Sequence, residues 1–329
     1  MKRLLIVILI AAGLWSGYWF VGATGAKSGF EAWFEARRAE GWVADYTDFS
    51  LQGFPNRFDA SWEGLTLADP QTGVAVDMPF FQVLALSYRP THVIAVAPQE
   101  MQVSTPYEKF GVQSEDLRAS LRLRPNTALE LENAVLHGDH LRITGAQDAA
   151  LRELRLAAER TGDTTYRYGV EAFDLSPPAP VLQRLAGQEA LPEVIEVASL
   201  DATVSFDKPW DISALEVARP QPTRIDLSDM RAIWGVMEFR AAGEIEVDAQ
   251  GLGTGTVNIQ AENWRDMLRV AVNSGAVPEN AATATERALG MLAGMKGNPN
   301  SIDATLELKN GQVFIGFIPL GPAPVFRLR

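Results

Sequence analysis

Over most of the chain from Trp42 onward the apolar residues fall at every second position, in runs of about four to fourteen residues broken by Gly, Pro, Asn or Asp. That period places alternate side chains on one face of an extended strand. The short breaks leave room only for tight turns, so the chain is committed to antiparallel sheet. About fifteen such runs are legible, among them NRFDASWEGLTLAD, FFQVLALSY, HVIAVAP, LRASLRLR and TTYRYGVEAFDL. LRELRLAAER satisfies neither the strand nor the helix period cleanly. SIDATLELKN and QVFIGFIPL read as two closing strands joined by Asn310-Gly311, a strong hairpin signal. Two amphipathic helices are expected at Trp264–Asn273 and Glu279–Met295, the second beginning after Pro278. Their apolar stripes (Met267, Leu268 and Val270; Leu289, Leu292 and Met295) are too small to stand alone. They should close one end of the sheet against its last strand at Ile315, Phe317 and Ile318.

The N-terminus obeys a different rule. Residues 4–22 carry no charge and follow Met1-Lys2-Arg3. As a helix they cover about 28 Å, close to the hydrocarbon thickness of a bilayer. Lys2 and Arg3 should stay cytoplasmic, which exports everything after Gly22. A cleaved signal peptide with Ala23-Thr24-Gly25 as its cutting site is the competing reading. The length of the segment and Trp15, Tyr18 and Trp19 near its outer end favour a retained anchor. Gly29–Gly41 reads as a separate short amphipathic helix, with Phe30, Trp33, Phe34 and Arg37 on one face and Gly41 as its stop. The fold expected is thus α+β, mainly β: an N-terminal transmembrane helix, then an extended antiparallel β-sheet structure with a few capping helices. Its parts are an anchor over 1–26, a first β-rich half over 27–175, and a second half over 176–329 that carries two helices and can be continuous with the first. Ser176-Pro177-Pro178-Ala179-Pro180, followed by a short helical VLQRLAG, marks the boundary.

Composition narrows the chemistry. There is no cysteine, which excludes disulfides, thiolate metal sites and a cysteine nucleophile. Of 29 Lys and Arg against 41 Asp and Glu, setting aside Lys2 and Arg3 leaves a net charge of −14 on the exported part. Such a surface repels phosphate backbones and disfavours broad attachment to anionic headgroups, so nucleic acid is not an expected partner. His137-Gly138-Asp139-His140 offers two imidazoles and a carboxylate, but its spacing suits a polar hairpin turn and not a helical ligand pair, so no metal is assigned. His92 lies alone in a strand as half-buried packing. G-x-S-x-G, Walker A, H-E-x-x-H and calcium-loop patterns are absent. Gly251-Leu252-Gly253-Thr254-Gly255 joins two alternating runs and reads as a hairpin, not a dinucleotide loop. Glu130, Glu132, Asp201, Glu244 and Glu246 alternate with apolar neighbours, as solvated sheet faces do, so no general acid or base is assigned. No catalytic residue and no cofactor are expected.

Aromatics crowd the first strands, and core is their default reading. The sharper reading is an open twisted sheet with an apolar concave face for acyl chains, its candidate residues being Phe54, Trp62, Phe80 and Phe81. Two adjacent rings at Phe80-Phe81 would put one outside the core face. Phe54, in the Gly53-Phe54-Pro55 loop, is expected to press into the sheet.

Strings along nearly the whole chain carry a family resemblance: LWSGYWF (14–20), AWFEARRAEGW (32–42), GFPNRFD (53–59), FFQVLALSYRPTHVIAV (80–96) and LDATVSFDKPWD (200–211). It continues through ARPQPTRIDL (218–227), WGVMEFRAAGEIEVDAQG (234–251), NWRDML (263–268) and IPLGPAP (318–324). The chain resembles the uncharacterised alphaproteobacterial family called domain of unknown function 2125, which implies no activity. The order of its elements is also similar to that of the AsmA-like envelope proteins, which are membrane-anchored, β-rich and linked to lipid handling. Together these readings lead to a non-enzymatic, single-pass inner-membrane protein with its bulk in the periplasm, binding or guiding lipids or envelope components. The alternative is an envelope scaffold or assembly factor that binds another protein through sheet edges or its acidic surface.

Overall fold

The computed structural model of the protein describes residues 1–187, 189–216, 218–295, 298–316 and 318–328. It opens on one 38-residue helix, α1 (Lys2–Ala39). The anchor and the short helix expected separately are one continuous rod, and Ala23-Thr24-Gly25 does not interrupt it. No proline falls in this stretch, and an interior glycine costs a helix only about 1 kcal/mol. Docking offsets that cost, because Trp19, Ala23 and Phe34 are buried against the strands. α1 ends where expected. Gly41 takes φ +89°, its N–H reaches Arg38 O, and Trp42 N–H reaches Arg37 O, each at 3.0 Å. This double bond pattern with a left-handed residue satisfies the last carbonyls of the helix.

The strands follow as β1 (Val43–Asp45), β2 (Asp48–Gln52), β3 (Arg57–Asp69), β4 (Val74–Leu86), β5 (Arg89–Val96) and β6 (Glu100–Ser104). Next come β7 (Lys109–Gln113), β8 (Asp116–Leu123), β9 (Leu131–Thr144), β10 (Ala149–Arg160) and β11 (Thr165–Ser176). A short helix α2 (Ala179–Ala186) precedes β12 (Ile195–Phe206), and one turn of helix, α3 (Ser213–Glu216), precedes β13 (Pro222–Trp234). β14 (Met237–Val247), β15 (Gly253–Glu262), α4 (Trp264–Asn273), α5 (Glu279–Met295), β16 (Ser301–Lys309), β17 (Gln312–Ile315) and β18 (Ile318–Pro322) complete the chain.

All eighteen strands belong to one antiparallel sheet. β1 and β2 share one neighbour, β3. β5 and β6 lie end to end along β4, and β7 and β8 along β9. From β9 to β18 the sheet is a plain meander in which each strand pairs with the next. Three lanes are therefore shared, and the sheet is fifteen lanes wide, about 70 Å at ~4.8 Å per lane. Among the described residues no pairing joins the β1–β2 edge to β18, so the sheet is open. β11 pairs with β12 across Ser176–Pro180, so the strands on either side of that segment are one sheet.

Local sequence explains the irregularities. VAVDM and FFQVLALSY form the single strand β4, which runs through Pro79. Pro79 has no N–H to give, and it sits where the neighbour of β4 changes from β6 to β5. It also faces the irregular step on β3 at Gly64, φ +58°. LRELRLAAER is strand β10. QVFIGFIPL is not one strand: the chain turns at Gly316, φ +60°, and β18 returns along β17. Phe317 lies outside the described residues. His137-Gly138-Asp139-His140 is not a turn but the interior of β9. His140 takes φ +47° there, an irregularity absorbed between regular pairings on both sides.

Fully buried apolar residues gather towards the two ends of the sheet and, between them, on β11 and β12, where Tyr166, Ala202 and Phe206 are buried and Phe206 packs with Trp210. At one end Phe34, Ala44, Ala60, Trp62 and Leu65 form a cluster under α1, and Trp19, Ala23 and Phe58 form another. At the other end Trp264 and Ala293 of α4 and α5 pack on Ala261 and Ile302, joined by Met267, Leu268 and Leu289. The helices thus close an end of the sheet, as expected, but on β14–β16 and not on the last strands. The C-terminal segment covers the same end, Ala323 and Phe326 packing with Ile245, Val257 and Leu308. Close strand approach there depends on Gly243, where an added Cβ would lie 2.2 Å from Thr256 O and 2.6 Å from Val257 Cα. Both are backbone atoms of the adjacent strand. Gly243→Ala should therefore cost about 1–3 kcal/mol, seen as a lowered denaturation midpoint at unchanged slope.

Candidate functional site

In an antiparallel pair, directly opposed residues project to the same face. Following the register from strand to strand therefore traces each face of the sheet. One row runs Ala60, Val83, Ala95, Ala119, Leu136, Leu156, Val170, Leu200, Met230, Ala241, Ile259 and Ala304. All twelve are apolar. A parallel row through Phe58, Ala85, Val93, Leu121, Ala134 and Ala158 is apolar as well. One residue away, on the other face, the row reads Ser61, Gln82, Val96, Arg118, His137, Arg155, Glu171, Ser199, Arg231, Arg240, Gln260 and Asp303. Only Val96 breaks its polarity. The sheet has one greasy face and one charged face along about 50 Å, eleven lane spacings of ~4.8 Å.

The greasy face is packed at its ends and, mid-sheet, beside Tyr166 and Phe206, where Trp210 packs on it; the rest of its middle is open. Leu136, Leu156, Val170 and Leu200 are only half-buried. They belong to a run in which a hollow of about 530 Å³ extends from Val83 through Ala95, Leu121 and Leu136 to Leu156 and Val170. A second hollow of about 520 Å³ lies beneath α1, between Ala26, Gly29, Phe30 and Trp33 on the helix and Trp62 and Phe81 on the sheet. Val83 lines both, so the two hollows adjoin on this face and are together called the trough. Its volume is that of a small-ligand site, and its shape is that of a channel. Tyr168 lines the first hollow, and Arg160 and Tyr166 follow it on the same face. Burial pushes the Tyr168 phenol up to about 12, so it remains a neutral hydroxyl at physiological pH.

The four candidate aromatics do not sit together. Trp62 is 3% exposed, at the centre of the packing under α1, with ring centroids of Phe30 at 4.9 Å, Phe49 at 5.1 Å and Phe81 at 6.2 Å. Trp62 and Phe81 line the trough. Phe80 projects to the charged face and is partly exposed. Phe54 does not press into the sheet; it is 52% exposed at the turn before β3 and stacks on Phe20 of α1 at 5.7 Å. Sequence reasoning missed the trough's middle, from Ala95 to Leu200. The signal was the apolar half of every alternating run, which was assigned to an ordinary core.

The opposite face is held by cross-strand ion pairs. Arg167 Nε and Nη2 donate to Asp201 at 2.9 and 2.5 Å, Arg155 meets Glu153 and Glu171, and Arg224 meets Glu244 and Glu246. Hydrogen bonds from Arg167 and Arg240 hold the carboxyls of Asp201 and Glu238 on this face below their ordinary values of 3.8 and 4.5, and one from Arg160, at the end of β10 on the other face, does the same for Glu130. A carboxyl whose folded value is depressed stabilises the fold above its unfolded value and loses that contribution as pH falls through the folded one. The thermal midpoint should therefore decline as pH falls below about 4.5, and Asp201→Asn should remove part of that dependence.

His137 lies on this charged face, between Asp116 at 3.6 Å and Glu153 at 3.7 Å. His140 Nδ1 meets Asp139 at 3.0 Å and Glu115 at 3.4 Å. The ligand atoms of Glu115, Asp139 and His140 come within 4.8 Å of one another, an exposed grouping that these ion pairs account for. His92 Nε2 and Ser120 Oγ are 3.0 Å apart across β5 and β8.

Fold and site define a class: a single open antiparallel sheet with an apolar trough, led by an N-terminal helix long and apolar enough to cross a membrane. The chain belongs to the family described as uncharacterized protein conserved in bacteria, DUF2125, whose model matches residues 19–324. No curated protein and no solved structure matches it.

Proposed function

We propose that this protein is a non-enzymatic, inner-membrane-anchored protein of the periplasm that carries lipid acyl chains along the trough. The observation that bears most weight is the unbroken apolar row from Ala60 to Ala304, left half-open between its packed ends. An acyl chain occupies about half of the ~30 Å bilayer core, and the hollows run from β3 to β11, about 29 Å at ~4.8 Å per lane, so the trough has room for about two in line. A retained anchor is supported by packing: cutting near Ala23–Gly25 would strip Trp19 and Ala23 from the cluster they form with Phe58. The acidic surface suits a ligand gripped by its tails and not by an anionic headgroup. An alphaproteobacterial source and the similarity in element order to AsmA-like envelope proteins accord with this reading. Mass spectrometry of the gently extracted, full-length protein tests it. Bound phospholipid is the expected result. A stoichiometric protein partner with no lipid would overturn it in favour of a scaffold.

A further inference from the structure

The anchor is too short to stand clear of the folded body. The first contact between α1 and the strands comes at Trp15, whose Nε1 donates to Pro55 O at 3.0 Å. Only Lys2–Leu14 runs free before it, about 20 Å of helix against a hydrocarbon core of about 30 Å. Yet the uncharged stretch continues to Ala26. A helix crossing the full core from Lys2 would leave it near Val21. The turns that α1 touches at Trp15, Tyr18 and Trp19 then lie roughly 3–9 Å inside the far boundary.

Two independent features of those turns match such a position. They expose large rings beside polar Asn56: Phe54 is 52% exposed and Tyr88 57%, next to Val21 at 75% and the exposed Phe20 on the helix. Their carbonyls are also satisfied from within. Trp15 Nε1 takes Pro55 O, Tyr18 Oη donates to Ser87 O at 2.6 Å, and Trp19 Nε1 donates to Arg57 O at 2.7 Å. Ser87 N–H in turn reaches Asn56 O at 2.8 Å. Irregular backbone survives among lipid only when its polar groups find protein partners. The polar tips of Trp15, Tyr18 and Trp19 are thus spent on turn carbonyls and not on lipid headgroups. Arg57 and Arg89, at the starts of β3 and β5, are exposed, and Arg57 Nε donates to Asp59 at 3.0 Å.

We propose that the end of the sheet made by the β2–β3 and β4–β5 turns is sunk into the leaflet opposite Lys2, with Phe54, Tyr88, Phe20 and Val21 among the acyl chains. The mouth of the hollow at Ala26 and Gly29 then opens about 8 Å beyond Val21, at headgroup level, where a lipid leaving the leaflet meets Phe30 and Phe81. The inference rests on α1 crossing the bilayer; it does not require lipid in the trough.

The absence of native cysteine makes a direct test simple. Phe54→Cys, Tyr88→Cys, Thr72→Cys and Leu9→Cys are each introduced singly into the full chain. Each is labelled with a nitroxide and reconstituted in vesicles of phosphatidylethanolamine and phosphatidylglycerol. Accessibility to oxygen against a water-soluble nickel chelate reports depth. Labels at 54 and 88 should show an oxygen-to-chelate ratio severalfold above that at 72, which lies in the turn at the far end of β3 and β4. Water-like values at 54 and 88 with a bilayer value at 9 would show the tip standing clear and overturn the proposal. A water-like value at 9 as well would show that α1 does not insert, which overturns the anchor reading and the proposal with it.

Discussion

Leu156→Asp should weaken binding of a fluorescent fatty-acyl probe by about 30-fold, while the thermal midpoint stays within a few degrees of the parent. Leu156 sits mid-trough, paired with Leu136 and Val170 and open to solvent above. A carboxylate there costs the free protein little because water reaches it. In the complex the acyl chain would displace that water, and an unpaired polar group then costs about 2 kcal/mol, a factor of about 30. Aspartate is too short to lift its charge out of the trough as lysine would. Ser199→Asp, on the charged face, is the control and should leave probe binding unchanged. Equal losses from both would mean that the probe reports general destabilisation and not occupancy of the apolar face.

The second large effect is on the fold. Trp62→Ala should cost about 3–5 kcal/mol, the usual range for truncating a buried aromatic. Its ring is the hub on which Phe30, Phe34, Phe49 and Phe81 converge. Removing it takes away the platform on which α1 rests beyond its membrane segment. Trp33, one residue before Phe34 on the same helix, is largely exposed, and Trp33→Ala should change stability by no more than about 0.5 kcal/mol. Thermal unfolding in mild detergent separates the two. Similar small shifts would show that α1 is held by its membrane segment alone.

Much of this architecture is written in local chemistry. Alternation identified strands from NRFDASWEGLTLAD to TTYRYGVEAFDL, Pro278 and the apolar stripes gave α4 and α5 their bounds, and Asn310-Gly311 marked the β16–β17 hairpin. What periodicity does not encode is how strands are joined into lanes. β5 pairs with β8 while β6 pairs with β7, and only the register then reveals that Val83, Ala119, Leu136 and Leu156 align across four strands. Of the four candidate aromatics, Trp62 and Phe81 line the hollow beneath α1 and the other two do not. The aromatics drew attention because of their size, yet Trp62 is core, Phe80 points to the charged face and Phe54 meets α1. Small and aliphatic residues line the trough beyond α1, and they look like any core until the missing second layer is seen. His137-Gly138-Asp139-His140 misled in the opposite sense: Gly and Asp signal a turn locally, but β8 and β10 on either side hold the segment extended. The continuity of α1 was hidden because glycines at 22, 25 and 29 look like breaks. At Gly22 the glycine serves close approach, since an added Cβ would lie 2.7 Å from the Phe58 ring.

A photo-crosslinking scan along β10 tests the central claim most directly. A benzophenone amino acid is placed at each position from Glu153 to Ala158 in the full-length protein, irradiated in living bacteria, and the products are read by mass spectrometry. Lipid adducts should appear at 154, 156 and 158, which face the trough, and be absent at 153, 155 and 157, which face the ion-pair lattice. Adducts without that two-residue period, or none at any position while protein adducts form, would contradict a lipid-carrying trough.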